Sequence, residues 1–308
     1  MVNARLHVPA PNFTPLPYGL FSAVQWRDDA DPHWRLGITY EPLCGGVGTT
    51  YEGCFSVTGS GGPPPPPPAK TSTGDFTRRG ATAFTVYSDI DCSAPGFWDR
   101  AESAAIELVG RAEQRQVERA LWTGVAGLQP VVYPHLAEDT AFIENDGQPG
   151  SVTLQTAATV VTGSILDVVE GLGVLEEQLA LCYDGVGVIH VPLSVIPPLV
   201  EAMQLQRVGG KLFTVNGNQV VAGAGYPGTS PSGADPAVGR RWIYATGALI
   251  GYRSPIKLIG TNGEILNRTN DTVEARAERT YVIGWECCHF ALQVSTGGLA
   301  SGTPGSPS

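Results

Sequence analysis

Charge is scarce in this chain. Of its 308 residues only 16% are charged, and just three of these are lysines, Lys70, Lys211 and Lys257. The balance is acidic, 29 carboxylates against 19 Lys and Arg, for a net charge of −10. A nucleic-acid reader neutralises phosphates with clustered Lys and Arg, so this composition argues against tight nucleic-acid binding. Long hydrophobic runs are also missing. Nothing approaches the ~20 apolar residues of a membrane-spanning helix, and the opening MVNARLHVPAPNF lacks the apolar stretch of a secretory signal. The cysteines Cys44, Cys54, Cys92, Cys182, Cys287 and Cys288 are thinly spread in a chain too long to need a disulfide scaffold. Reduced thiols, in a protein made in a cytoplasm, are the expectation.

Motifs that carry chemistry are equally sparse. No GxSxG elbow occurs, and His7, His33, His135, His190 and His289 are scattered. His190 sits in an apolar run and reads as a satisfied core histidine. Gly223-Ala-Gly-Tyr-Pro-Gly228 matches GxGxxG but is followed by Thr-Ser-Pro-Ser-Gly, which supplies no helix to hold a pyrophosphate. Cys287-Cys288-His289 suggests a metal site. Neighbours on a strand point to opposite faces, however, so buried strand cysteines are the better reading. Glu176 and Glu177 read as solvent-facing acids on a helix. These residues offer no catalytic set, cofactor site or metal site.

What is abundant is glycine (39) and proline (25), which means many turns and a minority of helix. One stretch stands apart. Phe97 to Trp122 contains no proline and is rich in Ala, Leu, Glu, Arg and Gln, the strong helix formers. Ala101, Ala105, Leu108, Val109, Ala112, Val117 and Leu121 fall at spacings of three and four, a narrow stripe on one face. At ~1.5 Å per residue the helix approaches 40 Å, a strut lying on a surface. A second helix is expected around Ile165, Val168, Val169, Leu172, Leu175 and Leu179. A buried strand follows at 186–192, a short helix begins near Pro197-Pro198, and a hairpin turns at Asn216-Gly217. Residues 240–253 read as a strand pair broken at Gly247, and 272–294 as a long strand region. Before the strut, 47–92 reads as a long hairpin whose tip carries Pro63 to Pro68, a stiff polyproline rod. The aromatic-rich first 40 residues read as an extended arm.

The residues WDRAESAAIELVGRAEQRQVERALWTG (98–124), GVIHVPLSVIPPL (187–199), GKLFTVNGNQVVAGAGYPG (210–228), WIYATGALIGYR (242–253) and VEARAERTYVIGWECCHFALQV (273–294) carry a resemblance. In their order the chain resembles the major capsid protein of tailed bacteriophages, a fold shared with encapsulins, over roughly 45–295. The resemblance implies an α+β fold divided into an N-terminal arm (1–46), an extended-loop hairpin (47–92), and a peripheral domain (93–150) with the spine helix at 97–122. An axial domain (151–258), peripheral return strands (259–296) and a flexible tail (297–308) complete it. It implies a head-shell subunit that assembles with itself into hexamers and pentamers, in a virion assembled in the host cytoplasm. Portal and scaffolding or decoration proteins would be partners, and DNA would be enclosed without sequence-specific binding. No enzyme activity, cofactor or membrane is implied. Arg100, Arg111, Arg115, Arg119, Arg78, Arg79, Trp26 and Trp34 become candidate intersubunit contacts. Some family members join an extended-loop lysine to a neighbour's asparagine. Lys70 is the one lysine in the hairpin, with Asn262, Asn267 or Asn270 as possible acceptors, and its place beside the proline rod argues against such a bond. The acidic balance suits a wall that repels packaged DNA. An encapsulin-like compartment is the alternative within the same fold, and a soluble enzyme the alternative from another class.

Overall fold

The computed structural model describes residues 11–27, 31–43, 78–93, 98–124, 134–144, 151–259, 266–267 and 272–297; at 91–93, 98–100, 266–267 and 272–273 it describes the backbone alone. The expectations for Pro63 to Pro68, Lys70, Asn262, Asn270 and the end of the tail lie outside the described residues. In chain order the first strands are β1 (Val24–Trp26), β2 (Ile38–Tyr40), β3 (Arg78–Ala81) and β4 (Phe84–Ser93). The helix α1 (Trp98–Thr123) leads to β5 (Phe142–Glu144), β6 (Val152–Gln155), β7 (Thr159–Val160) and β8 (Leu166–Asp167). Next come α2 (Val168–Tyr183), β9 (Val188–Pro192), α3 (Ile196–Glu201), β10 (Leu205–Val208), β11 (Lys211–Thr214) and β12 (Gln219–Gly223). The chain continues through β13 (Arg240–Thr246), β14 (Leu249–Arg253), β15 (Lys257–Ile259), β16 (Leu266–Asn267), β17 (Thr272–Trp285) and β18 (His289–Ser295).

Among the described residues these strands make three sheets. One is built around β17, which pairs with β4, β14, β15 and β16, while β1 joins the far side of β14 in parallel. The β4–β17 ladder runs antiparallel from Ser93↔Thr272 to Phe84↔Tyr281. The strut α1 lies across it. Ala101, Ala105 and Val109 pack on Ala275 and Ala277 of β17, small residues on small residues, which lets the helix axis approach the strand closely. The helix stops at Gly124, whose φ of +80° suits a glycine just past a helix end. Leu108, counted on the apolar stripe, is 42% exposed; the buried face runs instead through Val117, Ala120, Leu121 and Trp122.

The second sheet has the order β10-β11-β12-β9-β13-β18-β7, with β8 beside β18. The helix α2 covers it with Val168, Leu172, Leu175 and Leu179, over Ile189, Val191, Ile243 and Leu292. Gly171 is part of that fit, because a Cβ there would come within 2.5 Å of Val294. The third sheet, β2-β3-β6-β5, is small.

Three expectations are corrected by this topology. The strands expected as a pair over 240–253 do not pair with each other. β13 lies in the eight-stranded sheet and β14 in the β17 sheet, and the chain crosses between them at Gly247, whose N–H donates to Cys287 O at 2.7 Å. The long strand region over 272–294 is likewise two strands in two sheets, β17 and β18, divided at Glu286-Cys287-Cys288. Cys287 and Cys288 are therefore turn residues, Cys288 with φ +58°. The thiols there are not reduced either. Cys288 is bonded to Cys182 at the end of α2, 106 residues away, and Cys287 is disulfide-bonded as well. The reduced-thiol expectation came from compartment; the turn brings the cysteine Cα atoms of that first pair to 6.1 Å, the separation a disulfide takes.

Candidate functional site

The most connected polar feature lies on α1, where Arg111, Gln114 and Glu118 occupy one face at the spacing i, i+3, i+7. Together they hold the N-terminal segment by its backbone. Arg111 donates to Pro11 O at 3.1 Å and lies over the Phe13 ring at 5.8 Å. Gln114 Nε2 donates to Leu16 O at 3.3 Å and to Glu118 at 3.1 Å. The fully buried Glu118 accepts the N–H of Leu20 at 3.1 Å and of Gly225 at 3.0 Å. Burial pushes its carboxyl above the usual range, and the donors of Gly225, Leu20, Gln114 and Ala224 pull the other way. The glycines make this approach possible. A Cβ on Gly19 would lie 1.8 Å from Gln114 Nε2, and one on Gly225 would lie 2.2 Å from Arg115 O. The GxGxxG loop thus does present backbone donors to an anion, and the anion is this chain's own carboxylate.

The residues proposed from sequence scatter among several environments. Arg111, besides holding the segment at Pro11, pairs with Glu107. Arg115 and Arg119 are exposed, and among the described residues no acid pairs with either. The side chain of Arg100 lies outside the described residues. Trp26 belongs to an aromatic group of its own chain, 5.4 Å from Phe21, with Arg253 5.0 Å over its ring. Trp34, 4% exposed, stacks on Tyr252 at 5.6 Å. Trp34 is thereby spent inside its subunit, since burying the ring against β14 leaves nothing for a neighbour to cover.

Arg78 and Arg79 start β3, in parallel register with Val152 and Thr153 of β6. Arg79 reaches a cleft lined by Tyr40, Pro134, Thr153, Leu154, Thr156 and Trp285. Burial there lowers its pKa, and among the described residues no carboxylate pairs with it. Tyr40 OH donates to Trp285 O at 2.6 Å, while the buried indole N–H of Trp285 has no acceptor among the described residues.

Other polar groups are engaged structurally. His190 is wholly buried between Tyr226 OH, 3.1 Å from Nδ1, and Thr246 Oγ1, 3.0 Å from Nε2. Burial pushes its pKa down to about 3, with His289 acting in the same direction. His289, in contact with Leu136 O and Thr156 O at 3.0 Å each, is lowered by burial to about 4. Glu176, expected at the surface, is buried and accepts from Asn216 and Asn218 at 2.8 Å each, holding the β11–β12 turn against α2. Among the described residues no three His, Cys, Asp or Glu side chains come together to hold a metal. No described helix is long and apolar enough to cross a membrane.

No family model matches the chain, and no curated protein matches it by sequence. Solved structures do match over nearly its full length. The capsid of a native GTA particle is similar at 10% identity, covering 96% of this chain and 95% of its own, with a TM-score of 0.53. A structure from Microbacterium phage Oxtober96 is similar at 12% identity, covering 95% and 96%, with a TM-score of 0.51. The empty GTA particle gives 11% identity, coverages of 96% and 95%, and 0.52. The likeness spans nearly the whole of each chain, and the fold is the α+β fold of the tailed-phage major capsid proteins that the sequence resembles.

Proposed function

We propose that this chain is the head-shell subunit of a tailed, double-stranded DNA phage, or of a particle built like one. In this reading it assembles with itself as hexamers and pentamers into an icosahedral wall around the genome. The supporting observation is fold likeness to GTA capsids across at least 95% of both chains, without a large insertion that would house a different activity. The role is structural, with a virion as its location and the host cytoplasm as its place of assembly. Portal and scaffolding or decoration proteins would be its further partners.

Contacts between copies are assigned to the arginines that have no acidic partner among the described residues, Arg115 and Arg119 on α1 and Arg79 on β3. Recombinant protein examined by negative-stain microscopy tests the reading. Closed icosahedral shells are expected, and a stable monomer or dimer at micromolar concentration overturns it. Small shells filled with a protein cargo would assign the chain to the compartment-forming branch of the fold instead. The double variant R115E/R119E is expected to keep its folded circular-dichroism spectrum and lose shell formation. Normal shells from that variant return both arginines to a solvated face.

A further inference from the structure

We infer that Cys287 is disulfide-bonded to Cys44, which makes the Glu286–Cys288 turn a double staple. One of its cysteines holds the end of α2, and the adjacent one holds the chain just beyond β2. Cys287 is buried and disulfide-bonded. Cys182 and Cys288 are bonded to each other, so of the six cysteines only Cys44, Cys54 and Cys92 remain as its partner. A disulfide needs Cα atoms roughly 4.4–6.8 Å apart. Cys92 fails that condition. It lies opposite Val273 in the β4–β17 ladder, and β17 runs on through Trp285 before the turn, about 40 Å of strand at about 3.3 Å per residue.

Two contacts decide between Cys44 and Cys54. Tyr40, at the end of β2, donates its hydroxyl to Trp285 O at 2.6 Å, and Leu43 N–H donates to Glu286 Oε1 at 3.3 Å. The chain after β2 thus tracks the chain after β17. The next residue on each side is a cysteine, Cys44 after Leu43 and Cys287 after Glu286. Cys54 lies ten residues further along and would need the chain to leave this point and return to it. The turn is held ready from the other side: Gly247 N–H donates to Cys287 O at 2.7 Å, and Tyr183 OH donates to Glu286 Oε2 at 2.5 Å. Forming the bond removes one proton from each thiol and passes two electrons to an oxidant, a small disulfide or dioxygen. The turn where the chain changes sheet is therefore the point at which oxidation acts on this subunit. It anchors β2 and α2 there covalently, and reduction frees both. This staple does not depend on the shell reading.

Thiol counting on the full-length protein, oxidised and then unfolded without reductant, tests the pairing. Six cysteines with two bonds leave two thiols in the wild type. Cys44→Ser is expected to leave three, because it releases Cys287, and Cys54→Ser one, because it removes a thiol that was unbonded. The reverse pattern assigns the bond to Cys54 and overturns the proposal, as do four thiols in the wild type. Peptide mapping of alkylated, unreduced wild type guards against re-pairing in the variants. Trypsin with a glutamyl protease, cutting at Glu52 and Arg78, puts Cys44, Cys54 and Cys92 on separate peptides. The peptide that begins at Cys287 is expected to carry those of Cys44 and Cys182 together, and the Cys54 or Cys92 peptide in place of the Cys44 one overturns the assignment. Anchoring has its own readout. Amide hydrogen exchange over 38–43 is expected to be severalfold faster in Cys44→Ser than in the oxidised wild type, with Cys54→Ser unchanged. Equal rates in wild type and Cys44→Ser would overturn the anchor.

Discussion

Glu118 is buried with backbone donors around it and no cation among the described residues. It ties the strut to Leu20 on one side and to the Gly225 loop on the other, segments 98 and 107 residues away. Glu118→Ala strands two buried N–H groups, so a loss of about 3 kcal/mol in urea unfolding is expected, with Glu118→Gln intermediate. An unchanged midpoint for the alanine variant would mean that water replaces the carboxylate without cost. His190 and His289 govern the response to acid. Their folded pKa values, about 3 and about 4, lie below the unfolded 6.5, so unfolding takes up protons. Their contribution is complete above pH 6.5 and is lost as pH falls toward the folded values. At pH 5 the two together cost about 4 kcal/mol, at 1.36 kcal/mol per unit each. A subunit equally stable at pH 7 and pH 5 would contradict this. Neither role was fully legible beforehand. His190 stood in an apolar run and was read as a core residue, but Glu118 looked like one more acid on a charged helix. What distinguishes it is the approach of two glycines from distant segments, which no local pattern reports.

At the scale of elements, α1 and α2 show how far periodicity carries. α1 runs from Trp98 to Thr123, nearly the stretch that composition marks out, because an uninterrupted run of helix formers needs little tertiary help to choose its state. α2 forms despite Gly171 and Gly173 because burying Leu172, Leu175 and Leu179 outweighs the ~1 kcal/mol each glycine costs. Gly171 is then required, as it faces Val294 and Leu292. Gly171→Val is expected to lower the unfolding temperature by several degrees, whereas Gly173→Ala, with nothing within 4 Å of its Cβ, should raise or maintain it. Equal effects at the two sites would refute the packing account. The Cys182–Cys288 bridge joins the end of α2 to the β17–β18 turn across 106 residues. On a chain-entropy estimate closing a loop of that length stabilises by about 5 kcal/mol, so Cys182→Ser should shift the denaturant midpoint down by a corresponding amount under oxidising conditions. In excess reductant, wild type and variant should converge. The β17–β18 division escaped sequence reading because only three residues separate the two strands, and a change of sheet leaves no signature in either one's alternation.

For the molecule as a whole, low charge and many glycines and prolines suit a subunit whose edges meet other subunits. Two sheets share one long covalent excursion, β17 to β18, and are tied again at Gly247 and Glu286, so the parts around the strut are joined at several points. Assembly driven by arginine–carboxylate contacts between copies should weaken with added salt. The concentration needed for shells is expected to rise severalfold between low and high ionic strength, and indifference to salt would assign assembly to apolar contacts instead. Local chemistry settled the strut, the covering helix, the Asn216-Gly217 hairpin and the lack of a recognisable catalytic motif, since helix propensity, periodicity and turn residues act over a few neighbours. Sheet membership, the burial of Glu118 and Glu176, the bridged cysteines and the unpaired donors at Arg79 and Trp285 were settled by the packed chain. Each depends on groups tens to hundreds of residues apart being brought within a few ångströms, where desolvation and hydrogen bonding, rather than spacing along the sequence, determine what a side chain does.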